Sequence, residues 1–191
     1  MSHPRYHHGD LRAAVLRRAE EILRESGAGS LSLRQIARDV GVSHGAPSRH
    51  FRDKQALLDA LAVAGFDRIE AEFAAAVAGE TAFDARLHAL ARVYLRFATE
   101  NPALLAVMYG RKHGADAEVG AAVLRAFEVP RTVIVDGQER GEVVPGDPRR
   151  IGMAVIAALQ GLANLVASGF AAGDLLDETV GHLTHGLRPR P

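Results

Sequence analysis

The sequence predicts an all-α protein of about nine helices, with a three-helix head at residues 1–55 and a helical-bundle body at residues 56–191. Two observations predict this fold class. Apolar residues recur at spacings of three and four along most of the chain, as in amphipathic helices, and no segment alternates as a strand does. Capping residues, prolines and glycines stand at the ends of these stretches and divide them into helices of ordinary length.

The composition is that of a folded globular protein. The 191 residues are 48% apolar and 24% charged, which suits one or two domains with a buried core. Cysteine is absent, so disulfides and thiolate sites are excluded, and we expect a cytoplasmic protein. The amino terminus lacks the apolar stretch of a secretory signal. The most apolar run, 153–170, contains Gln160 and Asn164, and we interpret it as a helix of a soluble bundle, not as a membrane span.

The net charge of zero hides an asymmetry between the two parts. Residues 1–59 contain ten Lys or Arg against seven Asp or Glu, and they hold five of the nine histidines. The remainder has thirteen Lys or Arg against sixteen Asp or Glu. A basic head on an acidic body is the distribution expected when the head binds nucleic acid and the body does not.

The head begins with a polar arm and a helix. Asp10 is predicted to cap this helix, and Gly27 closes it. Its apolar face is formed by Leu11, Val15, Leu16, Ala19, Ile22 and Leu23.

The next stretch predicts a helix-turn-helix. Ser32 caps a short helix, and Gln35 three residues later completes a capping box. Gly41 ends this helix, because the residue past the last turn adopts a left-handed conformation that glycine takes at low cost. Ser43 caps a second helix that ends near Phe51. Two short helices joined by such a turn place the second one in the major groove of DNA.

The body begins with a helix that Asp53 caps and that joins the two parts of the chain. Pro130 is expected to kink or divide the seventh helix of the chain. The predicted helices of the body run from Lys54 to about Gly79, from the capping box Thr81–Asp84 through an apolar stripe that includes Phe97, from Pro102 to about Tyr109, from about Asp116 to Gly141, from Pro148 to about Ser168, and from Asp174 to about Leu187.

The last two long helices are too apolar for one body of this size to bury. The small residues Gly161, Ala163 and Ala167 allow another helix to come close. Two copies joined through these helices form a four-helix bundle around a twofold axis. We therefore predict a homodimer through the two C-terminal long helices, which also suits a helix-turn-helix protein because such heads bind DNA in pairs.

The stretches Ser32–Ala37, Gly41–Ser43 and His50–Leu58 resemble the head of a TetR-family transcriptional regulator. The segments Phe97–Leu105 and Gly137–Pro148 are similar to one branch of that family. The resemblance implies a homodimer that binds a palindromic DNA operator, in most members as a repressor. It also implies that a small-molecule effector enters the body and releases the operator.

The resemblance assigns contacts with DNA. Arg34 corresponds to a position that reaches a base, where a guanidinium can donate two hydrogen bonds to guanine. His44 is expected near a base and Ala46 near a thymine methyl, while Ser48 stands where the family commonly has tyrosine. Arg5 in the arm is expected at the minor groove. Solvated helix faces are the alternative for these side chains. The predicted DNA-binding residues are Arg34, Ser43, His44, Gly45, Ala46, Ser48, Arg49, His50 and Lys54.

Effector-binding residues are expected among polar or aromatic side chains on apolar helix faces of the body. Gln160 and Asn164 are favoured because they lie four apart in an apolar run, where an unpaired amide is costly. The alternatives are that they bond each other or cross the dimer interface, and that the aromatic residues are core. With few charges nearby, we expect an apolar or weakly polar effector. The predicted residues are Tyr94, Phe97, Met108, Tyr109, Phe127, Gln160 and Asn164.

No sequence pattern indicates an enzyme, a cofactor or a metal centre, because no nucleophile–base order, carboxylate pair or phosphate-binding loop stands out. His3, His7 and His8 lie in an arm without fixed geometry, and His182 and His185 are interpreted as surface or interface residues. The alternative function is a helical small-molecule-binding or scaffold protein without specific DNA binding. The effector, the operator, the regulated genes and the sign of regulation do not follow from the sequence.

Overall fold

The computed structural model describes residues 8–110, 116–171 and 174–189, with side chains from residue 11 onward. Arg5, His3 and His7 lie outside these residues, as does the side chain of His8. The described residues are helical with no strand, which confirms the all-α fold class. The helices are α1 (His8–Ser26), α2 (Leu33–Asp39), α3 (Lys54–Val77), α4 (Phe83–Glu100), α5 (Pro102–Met108), α6 (Ala117–Ala126), α7 (Glu128–Glu139), α8 (Pro148–Ala167) and α9 (Leu175–Leu187), with 3-10 turns at Ala28–Ser30 and Pro47–Arg49.

The chain divides into two compact units. The head unit comprises Met1–Gly65 and Ala103–Gly120, and the body unit comprises Phe66–Pro102 and Ala121–Pro191. The helix α3 belongs to both, as the sequence predicts for the helix that joins the two parts. Its large buried residues are Leu57, Leu61, Phe66, Ile69 and Phe73.

Several of the predicted helix boundaries in the head are confirmed. Ser32 is the N-cap of α2, and its Oγ accepts a hydrogen bond from the backbone N–H of Gln35 at 3.4 Å. The side chain of Gln35 donates to Asp39, so only the serine half of the capping box forms. Gly41 has φ of 73°, the left-handed conformation that ends the helix. The carboxylate of Asp53 accepts the backbone N–H three residues later at 2.8 Å, which fixes the start of α3.

The predicted second helix of the helix-turn-helix is wrong. In place of an α-helix capped by Ser43, the chain forms a 3-10 turn at Pro47–Arg49. Pro47 has no N–H to donate to the carbonyl of Ser43, and Gly45 disfavours the helix, so an α-helical ladder does not start. The carbonyl of Ser43 accepts the N–H of Ala46 at 2.9 Å instead. That is the shorter-range bond of a 3-10 turn.

Two other predicted caps are also wrong. The helix α1 begins two residues before Asp10, and α4 begins after Ala82 rather than Thr81, with no side-chain cap. Asp84 instead forms an ion pair with Arg188, Oδ2 to Nη2 at 2.8 Å. An acidic residue in the first turn favours a helix start whether or not it caps, because it interacts with the helix dipole. The sequence signal was therefore correct for the helix and imprecise for its first residue.

The predicted seventh helix is divided, as expected from Pro130. The break falls at Phe127, which separates α6 from α7, and Pro130 is the third residue of α7. A proline in the first turn breaks no hydrogen bond, because the N–H groups there have no partner within the helix. The described residues therefore contain nine α-helices, although the predicted recognition helix is not among them.

The helix α4 is the centre of the body unit and packs against α7, α8 and α9. Its predicted apolar stripe, which includes Leu87, Leu90 and Tyr94, is buried as a set. Gly137 of α7 allows close packing on this helix, since a Cβ there would lie 3.0 Å from the ring of Phe83. Among the described residues, no charged side chain is classed as buried in this core. Arg86 and Asp136 form an ion pair at its edge.

Candidate nucleic-acid interface

The residues predicted to contact DNA lie at the surface of the head unit. Ala46 and His50 are half-buried, and the other seven are exposed. Pro47 and Phe51 are buried, and they hold the segment 43–51 against the rest of the head. The helix α2 packs against the 3-10 turn, so these two elements form one surface, which we call the reading surface (the exposed side chains of residues 34 and 43–54).

Four of the eight arginines of the head whose side chains the structure describes are held by contacts within the head. Such a guanidinium is already oriented and has fewer donors left for a ligand. The contacts are Arg18 with Asp39 and Glu21, Arg38 with Gln35, Arg52 with Asp53 at 3.2 Å, and Arg12 over the ring of Phe51 at 5.6 Å.

The other four described arginines of the head have no such contact, and two of these, Arg34 and Arg49, lie on the reading surface. Both are exposed, and within the described part of the chain neither side chain makes a hydrogen bond, an ion pair or a ring contact. One lies in the first turn of α2 and the other ends the 3-10 turn. The reading surface thus presents two guanidinium groups whose donors are available to an external acceptor, such as a base edge or a phosphate.

Lys54 has a contact that the sequence did not predict. Its Nζ donates to the backbone carbonyl of Gly29 at 2.8 Å, which ties the start of α3 to the turn after α1. An ammonium group has three donors, so two remain for a phosphate. His50 is half-buried, and its ring lies 6.4 Å from that of Phe51.

An ion pair joins α1 to α2. The Nε of Arg18 donates to the Oδ2 of Asp39 at 2.8 Å, and Asp39 also accepts from Gln35. The hydrogen bond from Arg18 holds the pKa of the Asp39 carboxyl below its ordinary value of 3.8, and that from Gln35 adds to this effect. Because α2 has only seven residues, this pair at its last residue fixes the direction of the helix that carries Arg34.

The residues predicted to bind an effector are distributed over both compact units. Met108 and Tyr109 belong to the head unit, and the other five belong to the body unit. Met108 is buried, and its sulfur packs where a Cβ on Gly65 would stand, at 2.6 Å. Tyr109 is 44% exposed. In the body unit Tyr94 and Phe97 are buried, Phe127 and Gln160 are half-buried, and Asn164 is exposed.

Three of these residues form a chain of hydrogen bonds. The hydroxyl of Tyr94 donates to the Oε1 of Gln160, and the Nε2 of Gln160 donates to the Oδ1 of Asn164 at 3.5 Å. Gln160 and Asn164 therefore bond each other, which is one of the alternatives that the sequence left open. The chain leads from the buried ring of Tyr94, which is 1% exposed, to the surface of α8.

Sequence reasoning missed Arg68. Its guanidinium lies 4.9 Å from the centre of the Phe97 ring and donates to the Oδ1 of Asn101 at 3.0 Å. No local signal marks Arg68, because it lies off the apolar face that Phe66 and Ile69 define. A cleft of about 410 Å³ lies elsewhere in the body unit, and its lining contains none of the predicted effector residues.

The helix α8 exposes an apolar face. Among the helices that the structure describes, it alone has the length and composition of a membrane span, and 22% of its most apolar stretch is buried. Met153 is 66% exposed, Leu165 44%, and Phe170 just beyond the helix 85%. Gly161 in α8 and Gly181 in α9 are exposed, and a Cβ on either would meet nothing within 4 Å.

These two glycines are not explained by packing within the described chain. A glycine inside a helix destabilises it by about 0.5–1 kcal/mol relative to alanine. At Gly65 and Gly137 a close neighbour justifies that cost, whereas at Gly161 and Gly181 the space is open. Such positions leave room for a helix of another molecule to approach closely.

The described residues contain no group of three or more His, Asp or Glu side chains arranged to hold a metal ion. His182 and His185 of α9 are both exposed.

Two protein-family models match the chain. The model described as "Bacterial regulatory proteins, tetR family" matches residues 15–61, which include α2 and the reading surface up to Lys54. The model described as "Tetracyclin repressor-like, C-terminal domain" matches residues 87–187, from within α4 to the end of α9. Among curated proteins, the tetracycline repressor protein class C of Escherichia coli is 47% identical over 53 residues, which are 28% of this chain. The chain spans 24% of the length of that relative.

Solved structures share the whole fold. A protein with unknown function from Rhodococcus sp. RHA1 is 43% identical, with a TM-score of 0.87 over 98% of this chain and 100% of that one. A transcriptional regulator of the TetR/AcrR family from Thermobifida fusca is 22% identical, with a TM-score of 0.75 over 94% and 100% of the two chains. A TetR family transcription regulator from Marinobacter aquaeolei is 18% identical, with a TM-score of 0.76 over 94% and 96%. Because these last two structures are only 22% and 18% identical to the chain, the likeness shows a shared fold alone.

Proposed function

Because the chain belongs to the TetR family of transcriptional regulators, we propose that it binds a palindromic DNA operator as a homodimer, represses transcription there and releases the operator when a small-molecule effector binds. In this proposal residues 1–55 are the DNA-binding domain, residues 56–191 bind the effector and form the dimer, and the protein acts in the cytoplasm. The observation that carries it is the pair of exposed arginines, Arg34 and Arg49, on the reading surface.

The reading surface divides by chemistry into base contacts and phosphate contacts. Arg34 is assigned to a guanine, because its guanidinium can donate two parallel hydrogen bonds to that base. His44 is assigned to a base edge and Ala46 to a thymine methyl, and the tight turn at Gly45 lets the backbone approach the groove. Phosphate contacts supply affinity that depends on salt. They are assigned to Ser43, Ser48, Arg49, His50 and Lys54.

The ion pair between Arg18 and Asp39 is expected to set the affinity for the operator without touching DNA. Arg18→Gln and Asp39→Asn should each lower operator affinity roughly threefold, and the double variant should be no weaker than either single variant, because one contact is lost in all three. The measurement is a double-mutant cycle of operator binding by fluorescence anisotropy.

Two controls accompany this cycle. Glu21→Gln removes the other carboxylate partner of Arg18 within α1, and it should leave operator affinity unchanged. The unfolding midpoints of wild type and Asp39→Asn should also differ at neutral pH and converge below pH 3.8. The lowered pKa of Asp39 gives stability that is present above the unfolded-state value and lost as the carboxyl is protonated. Additive losses in the cycle would contradict the role of the pair.

The contact between the two copies of the homodimer is assigned to α8 and α9. A single 3-10 turn and one short helix offer few base contacts, and helix-turn-helix proteins gain affinity by placing two such surfaces on successive half-sites. The exposed apolar side chains of α8, together with the open space beside Gly161 and Gly181, support this face as the contact with a second copy. Its burial between two chains also accounts for the apolar character that the helix shares with membrane spans.

The effector is proposed to be apolar or weakly polar. Tyr94 and Phe97 of α4 are buried, with Phe127 and Gln160 half-buried in the same unit, and they offer aromatic surface and one amide. An effector that binds better to a state with altered head spacing shifts the population towards that state and weakens operator binding by the same free energy. That Met108 and Tyr109 of the head unit also contact the effector stays a prediction.

The experiment that tests the proposed function is a gel shift with the DNA upstream of the gene that encodes this chain, at 50 and 200 mM salt. We expect a specific retarded band that competitor DNA of unrelated sequence does not remove. Its affinity should fall steeply between the two salt concentrations, because the phosphate contacts release counterions. The matched control is the same DNA with one half-site scrambled, which should bind much more weakly.

The same experiment separates the alternative, a helical small-molecule-binding or scaffold protein. Two observations favour weak DNA binding. One of the three donors of Lys54 is bonded to the carbonyl of Gly29, and the side chain of Ser48 is shorter than the tyrosine common in the family. No retardation of any promoter fragment at 50 mM salt would support the alternative and contradict the regulator.

A further inference from the structure

The exposed face of α8 contains one amide among apolar and small residues. Its members recur at spacings of four, four, three and four, which is one stripe of a helix, and all are exposed. A hydrophobic contact between two helices can slide or rotate with little change in energy, because apolar contact has no direction. A polar group within it removes that freedom. The stripe consists of Met153, Ala157, Gly161, Asn164 and Ser168.

The amide of Asn164 is oriented from inside its own chain. The hydroxyl of Tyr94 donates to the oxygen of Gln160, so the nitrogen of Gln160 faces Asn164 and donates to its oxygen. The two N–H donors of Asn164 are then left pointing away from Gln160, with no acceptor among the described residues. Its oxygen keeps a second lone pair, since a carbonyl oxygen accepts two hydrogen bonds.

We propose that Asn164 is the contact that fixes the register of α8 against α8 of a second copy of this chain, with Gln160 and Tyr94 as positioning residues. The inference rests on the proposed homodimer and deepens it. Near a twofold axis a residue meets its own counterpart. Each Asn164 amide then donates one N–H to the oxygen of the other, so that both lone pairs of each oxygen are used only when the helices align at this position. Other alignments bury an unpaired amide, which costs roughly 1–3 kcal/mol.

The occupant of this face is a second copy because the neighbouring positions fit a helix at close range. Gly161 lies one turn from Asn164 and has open space where a side chain would stand. The stripe has no charged member, so it does not select an oppositely charged partner. A single buried amide in an otherwise apolar helix contact lowers stability and selects one register in exchange.

The test uses the absence of cysteine from the chain. A full-length Gly161→Cys variant places one small thiol on the stripe itself, and a disulfide forms only when two copies bring these positions within about 7 Å between Cα atoms. With Asn164 in place we expect rapid and nearly complete cross-linking. Asn164→Leu added to this variant keeps the volume and removes the amide. We expect a dimer that persists in sedimentation, a cross-linking yield lower by roughly threefold, and operator affinity lower by roughly tenfold.

Tyr94→Phe is the second variant, because it removes one hydroxyl and keeps the buried ring. A positioning role predicts a smaller loss of cross-linking in the same direction, whereas a purely structural role would lower the unfolding midpoint and leave cross-linking unchanged. Equal cross-linking and operator affinity with and without Asn164 would overturn the register role while leaving the homodimer intact. A chain that is monomeric, or a dimer in which Cys at position 161 never cross-links, would overturn both the α8 interface and this inference.

Discussion

Replacing Gly161 with leucine is expected to abolish specific operator binding without unfolding the chain. The position is exposed in the middle of α8 with nothing within 4 Å of a Cβ, so the isolated chain accepts the side chain. Leucine is also a better helix former than glycine, by about 0.5–1 kcal/mol. In the proposed dimer the same side chain occupies the space of the other α8 and separates the two copies. Two separate heads lose the gain of joint binding, which is roughly a hundredfold or more.

The measurements are sedimentation, thermal unfolding and operator binding on the same variant. We expect a monomer, an unfolding midpoint that does not fall at low protein concentration, and operator affinity lower by at least about a hundredfold. The matched control is Gly120→Leu in α6, another exposed helical glycine with nothing within 4 Å of a Cβ. It should keep the dimer and its operator affinity. If Gly161→Leu remained a dimer with unchanged affinity, α8 would not be the contact between copies.

Replacing Arg34 with alanine is expected to lower operator affinity and to relax the preference for one base pair. The guanidinium is exposed and has no partner among the described residues, so its removal leaves no unpaired group inside the head. A two-pronged contact with guanine is worth about 1–3 kcal/mol, or roughly a tenfold to a hundredfold change in affinity. The loss should be largest for the native operator and small for operators already changed at that base pair.

The measurement is binding of wild type and Arg34→Ala to a set of operators that carry each base at each position of one half-site. Arg24→Ala is the matched control, because it removes the same charge from an exposed position of the head outside the helix-turn-helix. It should weaken all operators slightly and alter no base preference. A uniform loss across all operators in Arg34→Ala would assign this residue to phosphate and not to a base.

Local sequence signals predicted the head well where one residue decides the conformation. Ser32, Gly41 and Asp53 fix a cap, a left-handed turn and a second cap, and each acts through its own backbone neighbours. The predicted recognition helix failed for an equally local reason. Pro47 has no N–H for the first helical hydrogen bond and Gly45 disfavours the helix, so the preceding residues form turns and the segment is left with a single 3-10 turn.

The candidate sites depended on contacts that no local signal shows. Arg18, Arg34 and Arg49 look alike in the sequence, yet only the first is held by an acidic residue, which lies 21 positions away. Gln160 and Asn164 were recognised as a pair, but the hydroxyl that orients them comes from α4, 66 positions before Gln160. Periodicity shows that a side chain faces a neighbour without showing which neighbour it faces.

The sequence by itself determined the all-α fold and the starts of several helices, because these follow from residue type, period and spacing along the chain. Membership of the TetR family follows from the likeness of its motifs to those of the family. The tertiary structure decided which guanidinium groups are left for DNA, which amides are already bonded and which glycines have open space beside them. Each of these depends on side chains that are distant in sequence, and packing alone brings them within hydrogen-bond or van der Waals range.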